Sequence, residues 1–166
     1  MMVHYQYCPV CAKPLLHLLY HGKPYVECEE RHFLHYETQS VGAAAIVVSQ
    51  GKLLLEKRAV EPGMGYWGLL GGMAEPGEQI TDCVVREVLE ESGLHVRIKK
   101  LLDVQGGHTT CVVFYEAEVV GGELVASPES MELCWFAPDD IPLEQLAFQS
   151  HRETIMTWMA GHELED

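Results

Sequence analysis

The sequence predicts an α/β domain preceded by a small cysteine-rich module. Short runs of small, β-branched and aliphatic residues recur along the chain and read as strands. One strongly patterned helix lies among them. Three of the six cysteines fall within the first 28 residues, apart from the rest. A length of 166 residues suits one domain of ordinary size with an appendage.

Residues 1–39 hold Cys8, Cys11 and Cys28 and five of the nine histidines. A module this small cannot build a sufficient core alone, so it needs a metal or a docking surface. In a reducing compartment its cysteines favour metal over disulfide. Cys83, Cys111 and Cys134 sit inside apolar patterns and read as core residues.

Residues 40–166 form the larger domain. Residues 41–49 (VGAAAIVVS) read as a buried strand, Gln50-Gly51 as a turn, and residues 52–58 (KLLLEKR) as the second strand of a hairpin. Residues 60–77, rich in glycine and proline, read as loop. Residues 78–92 are helical by period, and Gly93 is placed to cap that helix. Residues 95–104 and 109–120 read as strands, with Gly121-Gly122 turning the chain. Residues 132–137 form a short strand, and residues 138–147 a short helix and turn. A terminal helix over 150–160 carries Ile155, Met156 and Met159 on one side.

Composition excludes several classes. A hydrophobic content of 48% is too high for a disordered chain. A formal net charge of −14 argues against a nucleic-acid partner and against an anionic membrane surface. A small phosphorylated substrate remains compatible, provided that cations mediate the contact. No apolar run approaches the ~20 residues of a membrane span. No signal peptide is visible, so a cytoplasmic location is the default expectation.

The chemistry concentrates on the helix over 78–92. At 100° per residue, Glu87, Glu90 and Glu91 fall within roughly 100° of arc. Val84, Val85, Val88 and Leu89 cluster on another face, suited to packing on a sheet. Carboxylates at such spacing repel one another, and Arg86 is the one positive side chain nearby. The cluster suits hard divalent cations, which take oxygen ligands. In isolation it also suits an acidic solvated face.

The surrounding pattern decides between them. Gly72, Glu78, Arg86, Glu87, Val88, Glu90, Glu91, Gly93 and Leu94 fill G-x5-E-x7-R-E-U-x-E-E-x-G-U in order, U being a bulky aliphatic. The segment resembles the Nudix box. The resemblance implies an α/β/α sandwich with a mixed sheet and a loop–helix–loop site. It implies that Glu87, Glu90 and Glu91 are magnesium or manganese ligands, joined by the carbonyl of Gly71 or Gly72. Glu78 and Arg86 would orient them. Arg58 resembles the arginine that many Nudix enzymes place at a strand end to meet phosphate, and reads equally as a surface charge. Trp67 stands where the family has an aromatic residue before the glycine loop, and Leu70 where it usually has proline. Glu129 and Glu132 lie where some members carry a general base or an additional metal ligand. Aromatic candidates for stacking on a base are Tyr66, Trp67, Phe114 and Tyr115, only one of the last pair being able to face the site.

Tyr7-Cys8-Pro9-Val10-Cys11 looks like the opening of a zinc ribbon. Arg31 stands where the fourth cysteine would come, so Cys8, Cys11 and Cys28 need His32, or else His35, to complete a structural zinc site. Nudix enzymes with such a ribbon include NADH pyrophosphatases and a group resembling FAD and ADP-ribose pyrophosphatases. The stretches Pro128-Glu129-Ser130, FAPDDIP over 136–142 and Leu146-Ala147-Phe148 are similar to the second group. The motif of the NADH enzymes is absent, and Thr109-Thr110 stand where many ADP-ribose enzymes have proline. The resemblance implies metal-dependent hydrolysis of a nucleoside diphosphate derivative such as ADP-ribose or FAD, giving AMP and a phosphomonoester. A nucleoside triphosphate pyrophosphatase and a non-catalytic nucleotide sensor are the alternatives. A small nucleotide is the implied partner, and a homodimer is possible, since the family is often dimeric.

Overall fold

A computed structural model describes residues 5–162. The chain divides into two compact units at Gln39/Ser40.

The first unit is a three-stranded antiparallel sheet of β1 (Leu16–Tyr20), β2 (Lys23–Glu27) and β3 (Leu34–Tyr36), in the order β1-β2-β3. Among the described residues its buried core is Cys8, Leu15 and Cys28, with Tyr5, Cys11, Val26 and Phe33 packed against them. So little apolar burial is marginal for independent stability.

The second unit is built on β4 (Ser40–Ser49), β5 (Lys52–Arg58), β6 (Trp67–Gly68), β7 (Leu70–Met73), α1 (Ile80–Ser92), β8 (Leu94–Gly106), β9 (Thr110–Gly122), β10 (Ser130–Phe136) and α2 (Gln149–His162). The main sheet runs β10-β5-β4-β9-β8. It is mixed, because β4 and β9 pair parallel and every other pairing is antiparallel. Strand β8 forms one edge, and its register against β9 shifts at three places.

Side-chain alternation makes β4 the centre of a sandwich. Ala43, Ala45 and Val47 face α1 and meet Cys83, Val84 and Val88. Ala44 and Ile46 face α2 and meet Ile155 and Trp158. The small residues of VGAAAIVVS let both layers approach the strand closely. This is an α/β/α architecture.

The local feature that positions the site is a divergence. Gln50 and Gly51, both at positive φ (51° and 72°), close the β4–β5 hairpin. The two strands then pair only at Val48↔Leu53 and Ser49↔Lys52. Beyond that point β7 takes the edge of β4, from Gly42↔Met73 to Ala45↔Leu70, and β6 takes the edge of β5. The glycine segment is therefore wedged between two strands of its own sheet.

Five local expectations are corrected. Residues 60–77 are not all loop, since β6 and β7 lie within them; these strands form because two unpaired edges are offered, and their glycines hide them from any propensity. Gly121 and Gly122 do not turn the chain but end β9, opposite His95 and Leu94. Residues 138–147 hold two single 3₁₀ turns, Pro138–Asp140 and Leu143–Gln145. On α2 the buried positions are His151, Thr154, Ile155 and Trp158, whereas Met156 is 49% exposed; on α1, Leu89 is likewise exposed. Among the described residues no helix is long and apolar enough to cross a membrane.

The orientation of α2 is testable. Ile155→Ala is expected to cost about 2–5 kcal/mol, as a fully buried aliphatic truncation does. Met156→Ala should stay within about 0.5 kcal/mol. Chemical denaturation of both variants reads the difference.

Candidate functional site

The site grows from the meeting of α1 with the glycine segment. Helix α1 ends at Gly93, whose left-handed backbone (φ 71°) lets its N–H reach the carbonyl of Leu89. Two residues earlier, Glu91 is buried, and its Oε2 accepts the N–H of Gly71 at 2.8 Å. Gly71 sits at φ 153°, and a Cβ there would lie 2.2 Å from the carbonyl oxygen of Ala43. Gly72 is pressed against Glu87, where a Cβ would stand 2.4 Å from Oε1. Gly71 is thus required by the approach of the Ala43 and Ala44 backbone, and a side chain at Gly72 would displace the Glu87 carboxyl.

Arg86 ties the other side of the loop to the helix. Its Nε and Nη2 donate to the two oxygens of Glu78 at 2.8 and 3.0 Å, a forked pair. Its Nη1 donates to Glu87 at 2.8 Å and to Glu90 at 3.3 Å, and its Nη2 also reaches the carbonyl of Met73. The Arg86 hydrogen bonds hold the Glu78 carboxyl down at about 2. Glu87 is half-buried and its carboxyl is raised, burial being the main cause. Glu90 is 60% exposed.

Glu56, on β5, is a component that the sequence reading passed over. It is 1% exposed; Ser130 Oγ donates to its Oε2 at 2.7 Å, and Arg58 Nη1 to its Oε1 at 3.1 Å. Burial raises its carboxyl. Burial, followed by the charge of Glu56, pushes the Glu91 carboxyl up to about 9. A lone carboxylate inside LLLEKR was the available signal.

Arg58 is fixed from three directions. Besides Glu56, its Nε donates to the carbonyl of Pro62 at 2.9 Å, and its guanidinium lies 5.3 Å from the ring centre of Phe148. It borders a cavity of about 620 Å³ together with Gly71, Gly72, Gln105, Phe148 and His151. That volume suits a small ligand. His151 is buried, and its Nδ1 accepts the N–H of Leu69 at 3.0 Å. Burial, with help from Arg58, holds its imidazole at about 3, so the ring is neutral.

Other expected residues lie elsewhere. Trp67 is buried in the α2-side core, edge-on to Phe136 at 5.0 Å, and does not border the cavity. Phe114 is fully buried on the α2 side, and Tyr115 packs on the α1 side, as alternation requires. Tyr66 is exposed. Glu129 is exposed and its carbonyl accepts the N–H of Ala59; Glu132 is exposed opposite Lys57. The aromatic residue at the cavity is Phe148, outside the four candidates.

In the first unit, one ligand atom each from Cys8, Cys11, Cys28 and His32 lies within 4.8 Å of the others. The N–H of Val10 points at Cys8 Sγ at 3.4 Å. Two similar turns bring the four together: Ala12 N–H meets the carbonyl of Cys8, and Arg31 N–H that of Cys28. Ala12 and Arg31 both take positive φ (58° and 57°). Arg31 occupies the left-handed corner itself, and this presents the next residue, His32, to the sulfurs.

The raised Glu91 carboxyl has a consequence for stability. Folded Glu91 keeps its proton to about pH 9, whereas an unfolded glutamate ionises near 4.5. Between those values the folded chain binds more protons, so stability falls as pH rises. Above about pH 7, His151 is neutral in both states and Glu78 ionised in both. Metal-free protein should therefore lose thermal stability from about pH 7 to about 9, and magnesium should flatten that slope. Melting curves with EDTA and with magnesium test it.

Comparison with known proteins agrees with this architecture. Residues 38–159 match the NUDIX domain. An ADP-ribose pyrophosphatase of Methanocaldococcus jannaschii is 36% identical over 140 residues, covering 79% of each chain. An NAD-capped RNA hydrolase, NudC, of Stutzerimonas stutzeri is 32% identical over 142 residues; the match covers 83% of this chain but only 50% of that protein. The crystal structure of a NUDIX hydrolase from Nitrosomonas europaea superposes with a TM-score of 0.88 at 26% identity, over 96% of this chain and 93% of that one. With a family match across most of its length and the box glutamates gathered against the glycine loop, this chain belongs to the NUDIX family of hydrolases.

Proposed function

We propose that the protein is a divalent-cation-dependent pyrophosphatase that hydrolyses ADP-ribose, or a dinucleotide such as FAD, to AMP and a phosphomonoester. The observation that carries this reading is the convergence of Glu87 and Glu91 on the Gly71–Gly72 segment, which together with Arg58 borders the cavity. The relative named as an ADP-ribose pyrophosphatase supports the choice of substrate.

The residues fit a hard cation. Glu91 and Glu87 are carboxylates whose ionisation is opposed by burial and by neighbouring negative charge, and a cation relieves that opposition. Glu87, Glu90, Glu91 and the carbonyl of Gly72 would hold magnesium or manganese. When bound, the metal neutralises phosphate charge and lowers the pKa of a water. Arg86 and Glu78 keep Glu87 and the loop in place. Arg58, prefixed by Glu56 and the carbonyl of Pro62, meets a phosphate without losing further side-chain freedom.

A second reading rests on the relatives named NAD-capped RNA hydrolase. An NAD cap shares the AMP–diphosphate–ribose unit, so the same cavity would take it. A net charge of −14 disfavours a long RNA beyond that cap.

In the first unit, Cys8, Cys11, Cys28 and His32 would hold one zinc. Four protein ligands leave no position for water, so its role is structural.

Glu91→Gln is expected to lower kcat by at least about a hundredfold. It should also raise the melting temperature of metal-free protein, because a neutral amide replaces an acid that burial and Glu56 disfavour in its charged form. Wild-type turnover in the variant would remove Glu91 from the metal site. Products identified with ADP-ribose, FAD, NADH, NAD-capped RNA and dGTP test the substrate: AMP from the first two supports the reading, and pyrophosphate from dGTP at a far higher rate overturns it.

Protein purified without added metal should contain about one zinc per chain. Cys28→Ser should lose it. Elemental analysis without zinc in the wild type refutes a metal centre in this unit.

A further inference from the structure

The cavity has two ends of different chemistry. One part of its lining is the backbone glycines and Arg58, where a diphosphate belongs, and another is Phe148, His151 and Gln105. The two adjoin, since the Arg58 guanidinium lies 5.3 Å from the centre of the Phe148 ring. None of the last three is a cation at neutral pH, so this end adds no further charge for phosphate. An aromatic edge with neutral polar groups is what a nucleobase needs.

The polar groups at this end are locked in orientation. An N–H must donate to a lone pair, so the 3.0 Å contact from Leu69 N–H makes His151 Nδ1 the unprotonated nitrogen. The neutral ring then carries its proton on Nε2. Phe114 and Phe148 hold the ring edge-on, at 5.7 and 4.9 Å between centres. With Nδ1 taken by Leu69, Nε2–H is the one polar group that His151 has left for the cavity it borders, and it cannot become an acceptor without breaking the Leu69 bond.

Gln105 is locked the opposite way. Its Nε2 donates to Asp103 Oδ2 at 2.8 Å and to Thr154 Oγ1 at 3.2 Å. A carboxylate only accepts, so the amide nitrogen, not the oxygen, faces Asp103. Both amide hydrogens are then used, and Oε1 is left to accept. Thr154, which Gln105 meets, lies one turn beyond His151 on the same buried face of α2, and Gln105 and His151 both border the cavity.

We infer that His151 and Gln105 are the specificity-determining pair of the site, reading the hydrogen-bonding edge of the substrate's purine beside Phe148. The inference rests on the pyrophosphatase reading above for the identity of the substrate, which makes the base adenine. Adenine pairs an amino donor with a ring-nitrogen acceptor. Hypoxanthine, with a 6-oxo group and N1–H, reverses that order along the same edge. A fixed donor and acceptor matched to one are mismatched to the other, and each mismatch leaves a desolvated polar group unpaired.

The test compares ADP-ribose with inosine 5′-diphosphate ribose. His151→Asn is the informative change: the asparagine carbonyl lies where Nδ1 lay and still accepts from Leu69, while nothing replaces Nε2–H. Gln105→Met removes the acceptor by an independent route, and decides the matter if His151→Asn fails to fold by its melting curve. Wild type should prefer ADP-ribose at least about tenfold in kcat/KM. Each variant should raise KM for ADP-ribose about tenfold with kcat within about twofold, the mark of lost uniform binding. Each should also bring the preference close to unity. A wild type indifferent to the base, or variants that keep its preference, overturns the inference. If the wild type hydrolyses neither compound, the substrate reading has failed, and the pair is judged by binding. AMP should then bind wild type more tightly than ribose 5-phosphate, and the variants should lose that difference; its absence from the wild type or its retention in both variants overturns the inference.

Discussion

The 2.8 Å hydrogen bond from Gly71 to the buried carboxylate of Glu91 joins the helix to the glycine segment, and the rest of the site is arranged around it. The bond exists because β4 and β5 part company after two residue pairs, leaving an edge that β7 fills. Once β7 lies on β4, Gly71 has no room for a side chain, and its N–H points to α1. Gly72 then falls against Glu87, and Arg86 fastens Glu78 across the loop. The geometry of three glutamates is in this sense a property of sheet pairing as much as of helical period.

Such an arrangement opposes stability. Two buried acids, Glu56 and Glu91, share one neighbourhood, and burial together with the charge of Glu56 makes ionisation of Glu91 harder to sustain. The interaction that offsets part of this is the chain of donors from Ser130, Arg58 and Gly71. A folding-optimal sequence would place apolar groups here. The local disagreement between packing and charge is the kind found where function constrains a fold.

The sandwich and the box were legible in the sequence because each rests on a periodic or fixed-spacing signal. Alternation in VGAAAIVVS and the period of residues 80–92 translate directly into faces. Strands β6 and β7 were not legible, since they owe their form to partners distant in sequence and carry glycines for steric reasons. Glu56 and His151 were missed for a related cause. Each is one polar residue in an apolar pattern, and only tertiary partners such as Ser130 or Leu69 show what it is for. Trp67 illustrates the converse: its position in a motif suggested a ligand contact, yet its bulk is used to fill the core against Phe136. In the cysteine unit, the substitution of Arg31 at the fourth ligand position reads as a defect until its left-handed backbone is seen to hand the role of neighbour to His32.

The broken register of β8 bears on how copies of this protein meet. A 13-residue edge strand with an even ladder of free N–H and C=O groups would be a template for adding another strand. Here β8 carries two bulges against β9, at Lys99 and Leu102, and a third shift comes from Val120 of β9 opposite His95 and Val96. Arg97, Lys99 and Lys100 stand along the same stretch with side chains at least half exposed. Each bulge on β8 twists the edge locally, and these charged side chains, paired with Glu118 and Glu116, would have to give up solvent to an added strand. Continuation of the sheet from one molecule into the next through β8 is thereby disfavoured, which protects the chain from edge-to-edge aggregation and directs any pairing of protomers to another face.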